Sequence, residues 1–348
     1  MLDIQPKVSA MIATRNRPSE LLLTLQQLKQ LDYPNLEIIV IDDASDEPIE
    51  PTVRSIWPDA RVIRHEQNTG QCQRRNEGFQ LASGTYILHL DDDCCFTQPQ
   101  DLEKAVSILQ VHQEAGVLAP YLYNGTTLPA QLPNGQLQPG FVPSYVGAAA
   151  LIRTDVIRKT VGYRAFFGNE WEEEELCLQL LGKGYGVWFE PSLVAHHRFS
   201  SLNRNTERTW MRGLRNRCWA ILMHMPWRRV PIELTWKLAL GAWDAVRMGR
   251  PLVYCRSLGQ VVPGLGRALQ LREPLDAIAI RRYDAIRLHP FLTEQEFAQP
   301  KDGSWRDLAI WWRRWRNRAR DKNIWDKAPG GKGTSYTVGY AHEHKDTE

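Results

Sequence analysis

Apolar positions in the first 120 residues fall into short runs that alternate with stretches of helical spacing. Residues 8–13 form one such run, and its continuity predicts a strand. Pro18 stands where a helix opens, with Leu21, Leu22, Leu25 and Leu28 following at helical intervals. Residues 36–41 are apolar enough for a strand buried on both faces, and residues 61–65 make a weaker third strand. A helix over residues 71–81 stops near Ser83-Gly84, and residues 85–90 read as a buried strand running into Asp91. A helix over 101–113 and a strand over 117–121 complete an alternation that predicts an α/β layered sheet. Residues 124–143, rich in Gly, Pro, Asn and Gln, carry no periodicity and are expected to be a long loop. A small apolar stretch at 144–152 follows, then a short helix from 154 to 159, a helix from 172 to 181 ending at Gly182, and an extended segment from Gly186. Beyond Ser200 the strand signal fades into helical periodicity rich in Arg and Trp.

Charge sharpens this division. Over 348 residues the net charge is only +3, but residues 1–200 carry 16 Lys/Arg against 25 Asp/Glu, and residues 201–348 carry 27 against 15. An acidic half at −9 and a basic half at +12 predict a catalytic part joined to one that meets something anionic. The six cysteines show no C-x-x-C pair and no zinc-site spacing, so reduced thiols are expected. The first residues lack a basic segment followed by an apolar one, and no stretch approaches the roughly 20 apolar residues that span a bilayer. A cytoplasmic protein, or one attached to the inner face of a membrane, is the expectation.

Candidate chemistry collects at the predicted strand ends, where open α/β sheets bind their ligands. The first strand ends in Thr14-Arg15-Asn16, the second in Asp42-Asp43, and the fourth in Asp91-Asp92-Asp93. Between them lie Asn68-Thr69-Gly70 and Arg74-Arg75-Asn76. Clustered carboxylates raise one another's pKa unless a cation or donors neutralise them, and Mg²⁺ or Mn²⁺ is the simplest neutraliser. Asp43 suits hydrogen bonds to a base or ribose, and Arg74 or Arg75 suits a phosphate. Each motif alone fits a solvated turn or helix face; four in register point to a nucleotide diphosphate.

The ordered series resembles family 2 glycosyltransferases over roughly residues 7–200. It consists of residues 8–18, Val40-Ile41-Asp42-Asp43-Ala44-Ser45, Asn68-Thr69-Gly70, Arg75-Asn76-Glu77-Gly78 and Leu90-Asp91-Asp92-Asp93. Phe166-Phe167-Gly168 with Glu172-Glu173-Glu174-Glu175-Leu176 resembles the family's Glu-Asp-x-Asp-Leu helix. The resemblance implies a GT-A fold: a Rossmann-like mixed sheet flanked by helices, here at residues 1–203, with a helical, basic extension at 204–325 and a disordered tail at 326–348. It implies Thr14, Arg15, Asp43 and Arg75 near the nucleotide, with Arg74 and Asp92 as further contacts. Asp91 and Asp93 would hold a divalent metal, Mn²⁺ or Mg²⁺, and the diphosphate, with His196 or His197 nearby. Glu173, with Glu172 as the alternative, would be the catalytic base. The implied activity is an inverting, metal-dependent, single-addition transfer from a UDP-, dTDP- or GDP-linked sugar to a glycan or lipid-linked acceptor. Family members often carry Tyr where Arg15 stands, and Glu replaces Asp at 173 and 175. Processive synthases carry a Gln-x-x-Arg-Trp sequence, which does not occur here.

Arg204, Arg208, Arg212, Arg215 and Arg217 lead the extension, and the segment Arg215–Trp219 with Pro226 resembles bacterial rhamnosyltransferase-like members. Trp305, Leu308, Trp312 and Trp315 share one helical stripe beside several arginines, which suits an anionic membrane surface as well as it suits packing on the catalytic part. Nucleic acid is not expected as a partner, because no recognised module accompanies the charge. Two other functions fit less well. A sugar-nucleotide nucleotidyltransferase needs a glycine-rich loop after the first strand, and residues 14–18 contain no glycine. A catalytically impaired sugar-nucleotide or glycan-binding protein would bind without turnover.

Overall fold

The computed structural model describes residues 5–130, 132, 137–198, 206–247 and 249–301. The stripe at 305–315 and the tail at 326–348 lie outside the described residues. Nine strands form one sheet: β1 (Val8–Thr14), β2 (Leu36–Asp42), β3 (Arg61–Arg64), β4 (Tyr86–Asp91), β5 (Cys94–Phe96), β6 (Ala115–Asn124), β7 (Gly140–Val142), β8 (Ala149–Arg153) and β9 (Gly186–His197). Their order is β3-β2-β1-β4-β8-β6-β9-β5, with β7 paired to β9. β1 is parallel to β2 and β4, and β2 to β3; β8 runs antiparallel to β4 and β6; β9 is parallel to β6. The carboxyl ends of β1, β2, β4 and β9 therefore share one edge with the amino end of β8.

Helices cover both faces, as a sheet of near-continuous apolar strands requires. The first five are α1 (Pro18–Leu28), α2 (Glu50–Ile56), α3 (Gln71–Leu81), α4 (Asp101–Val111) and α5 (Thr154–Ile157). Leu21, Leu25 and Leu28 of α1 are fully buried, each worth about 1.5–3 kcal/mol of burial. On the other face α3 lies so close to β1 that a Cβ at Gly78 would sit 2.2 Å from Met11 Cγ. α6 (Glu172–Gly182) packs beside β9, and six helices follow: α7 (Thr206–His224), α8 (Val230–Arg247), α9 (Pro251–Val261), α10 (Leu265–Gln270), α11 (Ala277–Leu288) and α12 (Glu294–Ala298).

Two elements depart from the sequence expectation. Within the expected loop at 124–143, Gly140–Val142 pairs with β9, where Phe141 stacks on Phe297 at 3.9 Å between ring centroids. Three residues are too few for a period-2 signal, and an aromatic partner 156 positions along the chain is invisible locally. Directly after the acidic triplet, β5 pairs antiparallel with the end of β9, bringing Cys94 opposite His197. α7 also does more than append to the sheet domain. Trp219, Met223 and Met225 are buried in the same apolar core as Ile12, Leu88 and Leu118. Among the described residues no helix is long and apolar enough to cross a membrane.

Candidate active site

The shared sheet edge assembles the acids. Asp91 closes β4, and its backbone N–H bonds to the Ala148 carbonyl at 2.9 Å. Asp93 lies between β4 and β5, and the pairing of β5 with β9 sets His197 Nε2 3.1 Å from Asp93 Oδ1. One ligand atom each from Asp91, Asp93 and His197 falls within 4.8 Å of the others. His197 Nδ1 lies 2.8 Å from Asn124 Oδ1, which orients the ring with its Nε2 toward Asp93. The mixed oxygen and imidazole set fits a divalent metal, and Mn²⁺ accepts imidazole more readily than Mg²⁺. His196 points the other way along the strand, with Nε2 2.8 Å from the Gly125 carbonyl oxygen. The structure brings His197 to the acids and leaves His196 outside.

Two arginines balance the acids. Arg17 Nη1 is 2.8 Å from Asp92 and its Nη2 is 2.5 Å from Asp93. Burial alone would raise the Asp93 carboxyl, but His197 and Arg17 hold it far below the usual range. Asp92 is also buried, and desolvation pushes it up to about 7 despite Arg17 and a 2.6 Å hydrogen bond from the Thr14 hydroxyl. Arg75, almost fully buried on α3, joins the two halves of the site. Its Nη2 is 2.6 Å from Asp91 Oδ1, and its Nη1 is 3.3 Å from Glu173 Oε1 and 4.0 Å from Glu172 Oε1.

Glu172 and Glu173 start α6, where the helix dipole favours acids. Glu172 is buried and accepts from Gln71 Nε2 at 2.8 Å; desolvation, then the neighbouring Glu173 charge, hold its carboxyl well above the usual range. Glu173 has the more open side chain, 16% exposed against 3%, and is also raised by burial, with Arg75 opposing. Of the two, Glu173 is the more accessible. A Cβ on Gly147 would lie 2.2 Å from Glu173 Oε1 and 2.9 Å from Arg75 Nη1, so the space beside this pair exists because residue 147 is glycine.

Several expected nucleotide contacts are committed inside the protein. Arg74 donates to Asp43 at 2.8 Å and to the Gln67 carbonyl at 2.9 Å, and pairs with Glu77 at 3.2 Å, so its guanidinium faces no open phosphate site. Asp43 also accepts from the backbone N–H groups of Thr69 and Gly70, both at 2.9 Å, which fixes the loop before α3. Thr14 is buried against Asp92, and exposed Arg15 reaches the Ala44 carbonyl at the rim. Sequence reasoning passed over Arg17, whose only signal is its place just before Pro18, at the mouth of the crevice.

The turn before α6 is held from α7. Gly168, Glu170 and Trp171 all have positive φ, at 75°, 77° and 71°. For Glu and Trp this left-handed backbone costs about 1–3 kcal/mol each and persists only where the surroundings enforce it. Fully buried Asn216 supplies that enforcement: its Nδ2 donates to the carbonyls of Phe167, Asn169 and Glu170 at 3.1, 3.4 and 2.5 Å. One turn along α6, Glu175 accepts from Arg164 at 2.8 Å and meets His224 Nε2 at 2.7 Å, both buried. The Glu at 175 thus ties α6 to α7.

Residues 9–159 match the model of Glycosyl transferase family 2. Over those residues the chain carries a family 2 glycosyltransferase domain. It is 34% identical over 103 residues to an uncharacterized glycosyltransferase of Haemophilus influenzae, covering 30% of this chain and 34% of that protein. It is 33% identical over 92 residues to the GalNAc(5)-diNAcBac-PP-undecaprenol beta-1,3-glucosyltransferase of Campylobacter jejuni, covering 25% and 30%. The chain spans about one third of the length of these curated relatives. Among solved structures it is similar to S. aureus TarS 1-349 in complex with UDP-GlcNAc, with TM-score 0.56 and 16% identity over 80% of this chain and 83% of that one. It is similar as well to the mannosyltransferase PcManGT of Pyrobaculum calidifontis in complex with GDP-Man and Mn²⁺, with TM-score 0.51 and 16% identity over 93% and 89%. These structural likenesses carry the fold, which is GT-A.

Proposed function

We propose that the protein transfers a single sugar, with inversion, from a nucleotide-sugar donor to a glycan or lipid-linked acceptor, with a divalent metal held by Asp91, Asp93 and His197. One observation carries this reading: ligand atoms of those three residues lie within 4.8 Å of one another, one guanidinium away from Glu173. A divalent metal held there, Mn²⁺ in preference to Mg²⁺, would supply neutralisation of the donor diphosphate and of the charge it gains on leaving. Asp43 and the loop it fixes at Thr69-Gly70 would face the nucleoside, and Arg17, beside Asp92 and Asp93, would face the phosphates. Glu173 accepts the proton of the acceptor hydroxyl as that oxygen attacks the anomeric carbon from the face opposite the leaving diphosphate. Burial raises its pKa and so makes it a stronger base than an ordinary carboxylate. Arg75 holds Glu173 and Asp91 in one frame, and Glu172 anchors the start of the helix through Gln71.

UDP-, dTDP- and GDP-sugars are the candidate donors; the named structural neighbours hold UDP-GlcNAc and GDP-Man. The Campylobacter relative's name gives an undecaprenol-linked acceptor, which supports the lipid-linked reading and a place at the inner face of a membrane. The absence of a Gln-x-x-Arg-Trp sequence supports single addition. A binding protein without turnover is disfavoured, because base, metal ligands and the arginine joining them all stand together. Saturation-transfer NMR across a panel of nucleotide sugars, with Mg²⁺ in place of paramagnetic Mn²⁺, tests the reading. One donor is expected to give metal-dependent contacts at base, ribose and sugar that vanish in Asp93→Ala. Metal-independent binding, or none to any donor, would overturn it.

A further inference from the structure

Arg215 and Arg267 stand over the aromatic cluster behind the turn that leads into α6, and Arg212, one turn before Arg215 on α7, bonds to Asn169 of that turn. The Arg215 guanidinium lies 4.6 Å from the Trp219 ring centroid, and that of Arg267 lies 4.6 Å from the Phe166 centroid. The two rings are 5.5 Å apart, and Phe167 packs against both. The platform is rigid: Trp219 is buried, its Nε1 donates to the Val261 carbonyl at 2.9 Å, and Gly264 presses on its ring edge.

Their charge is uncompensated. Arg17, Arg74, Arg75, Arg164, Arg229 and Arg282 each pair with a carboxylate, whereas among the described residues no carboxylate lies within ion-pair distance of Arg212, Arg215 or Arg267. Most of their donors are uncommitted too. Arg212 gives one N–H to Asn169 Oδ1, and Arg215 gives Nε to Asn216 Oδ1 and Nη2 to the Phe167 carbonyl. Each guanidinium has five donors in a planar fork. The loop has its own clamp in Asn216, so these arginines are more than that anchor needs. Burial and the nearby Arg212 charge both press the half-buried Arg215 toward its neutral form, which an anion would reverse.

We infer that Arg212, Arg215 and Arg267 form an acceptor subsite that binds a phosphate or diphosphate group, placed beside the turn that carries Glu172 and Glu173. The inference rests on the transferase reading and deepens it by naming the acceptor class: a saccharide borne on a diphosphate. Guanidiniums pre-oriented by rings, as in Arg215 and Arg267, or by a hydrogen bond, as in Arg212, match phosphate oxygens bidentately, and three of them suit a diphosphate better than a single carboxylate. The site is separate from the metal cluster, which takes the donor diphosphate through Asp91, Asp93 and His197.

The test titrates inorganic pyrophosphate into the full chain with EDTA present, to silence the metal-dependent site, and follows arginine side-chain N–H signals by NMR. Arg212 and Arg215 signals are expected to shift saturably. Arg212→Gln/Arg215→Gln is expected to weaken binding about 10-fold to 100-fold, the worth of one or two charge-assisted hydrogen bonds. Arg267→Gln, which removes one arginine of the subsite and its contact with Phe166 but no hydrogen bond to the turn, guards against a folding artefact and is expected to weaken binding in the same direction. Unchanged affinity in both variants, or shifts confined to Arg17 and Arg75, overturns the subsite. Pyrophosphate bound at these arginines in a protein that turns over no nucleotide sugar upholds the anion site and overturns the transferase reading instead.

Discussion

Glu172 and Glu173 are neighbours with the same side chain and different work, and their surroundings separate them. Glu172 is buried with a neutral donor from Gln71, and its carboxyl is held above the ordinary value of 4.5. A carboxyl raised in the folded state keeps a proton the unfolded chain has lost, so it costs stability as pH rises from about 4.5 toward the folded pKa. Glu172→Gln is therefore expected to leave stability below pH 4.5 nearly unchanged and to flatten its decline above, measured as Tm against pH. Gly147 gives a complementary expectation. The atoms a Cβ would strike belong to the ends of Glu173 and Arg75, which can swing aside. Gly147→Ala should thus cost little Tm while lowering kcat by about 10-fold to 100-fold through a misplaced base. The sequence ranked Glu173 ahead of Glu172 only through the family resemblance, since four consecutive acids give no sign of their own surroundings, and a glycine in a small apolar stretch reads as packing.

The elements themselves were largely legible. Parallel strands buried on both faces announce themselves as apolar runs, and α3 spans Gln71–Leu81 as its pattern indicates. What periodicity could not carry were contacts across long separations: β5 against the end of β9, and β7 under Phe297. The first of these selects His197 over His196, a choice open from the sequence because adjacent strand residues face opposite ways. α7 is a third case. Its arginines draw the eye, yet the uncharged Asn216 between Arg215 and Arg217 holds the left-handed turn at Glu170 and Trp171. Asn216→Ala leaves three carbonyls without this donor and is expected to destabilise by about 1–3 kcal/mol. Because the released turn begins α6, kcat should fall further than Tm alone explains. A differential-scanning and steady-state comparison with Asn216→Asp, which keeps the shape but not the donor, separates the two effects.

At the scale of the whole molecule, the charge contrast between the halves coexists with one continuous core. Residues 1–203 read as a self-sufficient catalytic domain in sequence, but Leu178 and Leu181 of α6 share their core with Trp219, Met223 and Met225. The carboxylate of Glu175 is buried with Arg164 and His224, and losing one member of such a set costs about 3–5 kcal/mol. A fragment ending at residue 203 is therefore expected to aggregate or melt far below the full chain, while one ending at residue 301 retains the cooperative transition. Calorimetry of the two fragments checks this. Charge patterning reports on partners and solubility, not on where a core ends, which is why this shared interior was not legible in it.

The central claim is that Glu173 is the base in a site whose metal and donor contacts do not depend on it. Single-turnover sugar transfer, measured against pH with metal and donor saturating, tests it most directly in the wild type and in Glu173→Gln. The wild type is expected to show an acid limb above the ordinary Glu value of 4.5, from the raised Glu173 carboxyl. Glu173→Gln should retain donor binding, lose that limb and slow transfer by about 10²–10⁴-fold. Transfer at the wild-type rate in Glu173→Gln, with the acid limb in place, would contradict the account.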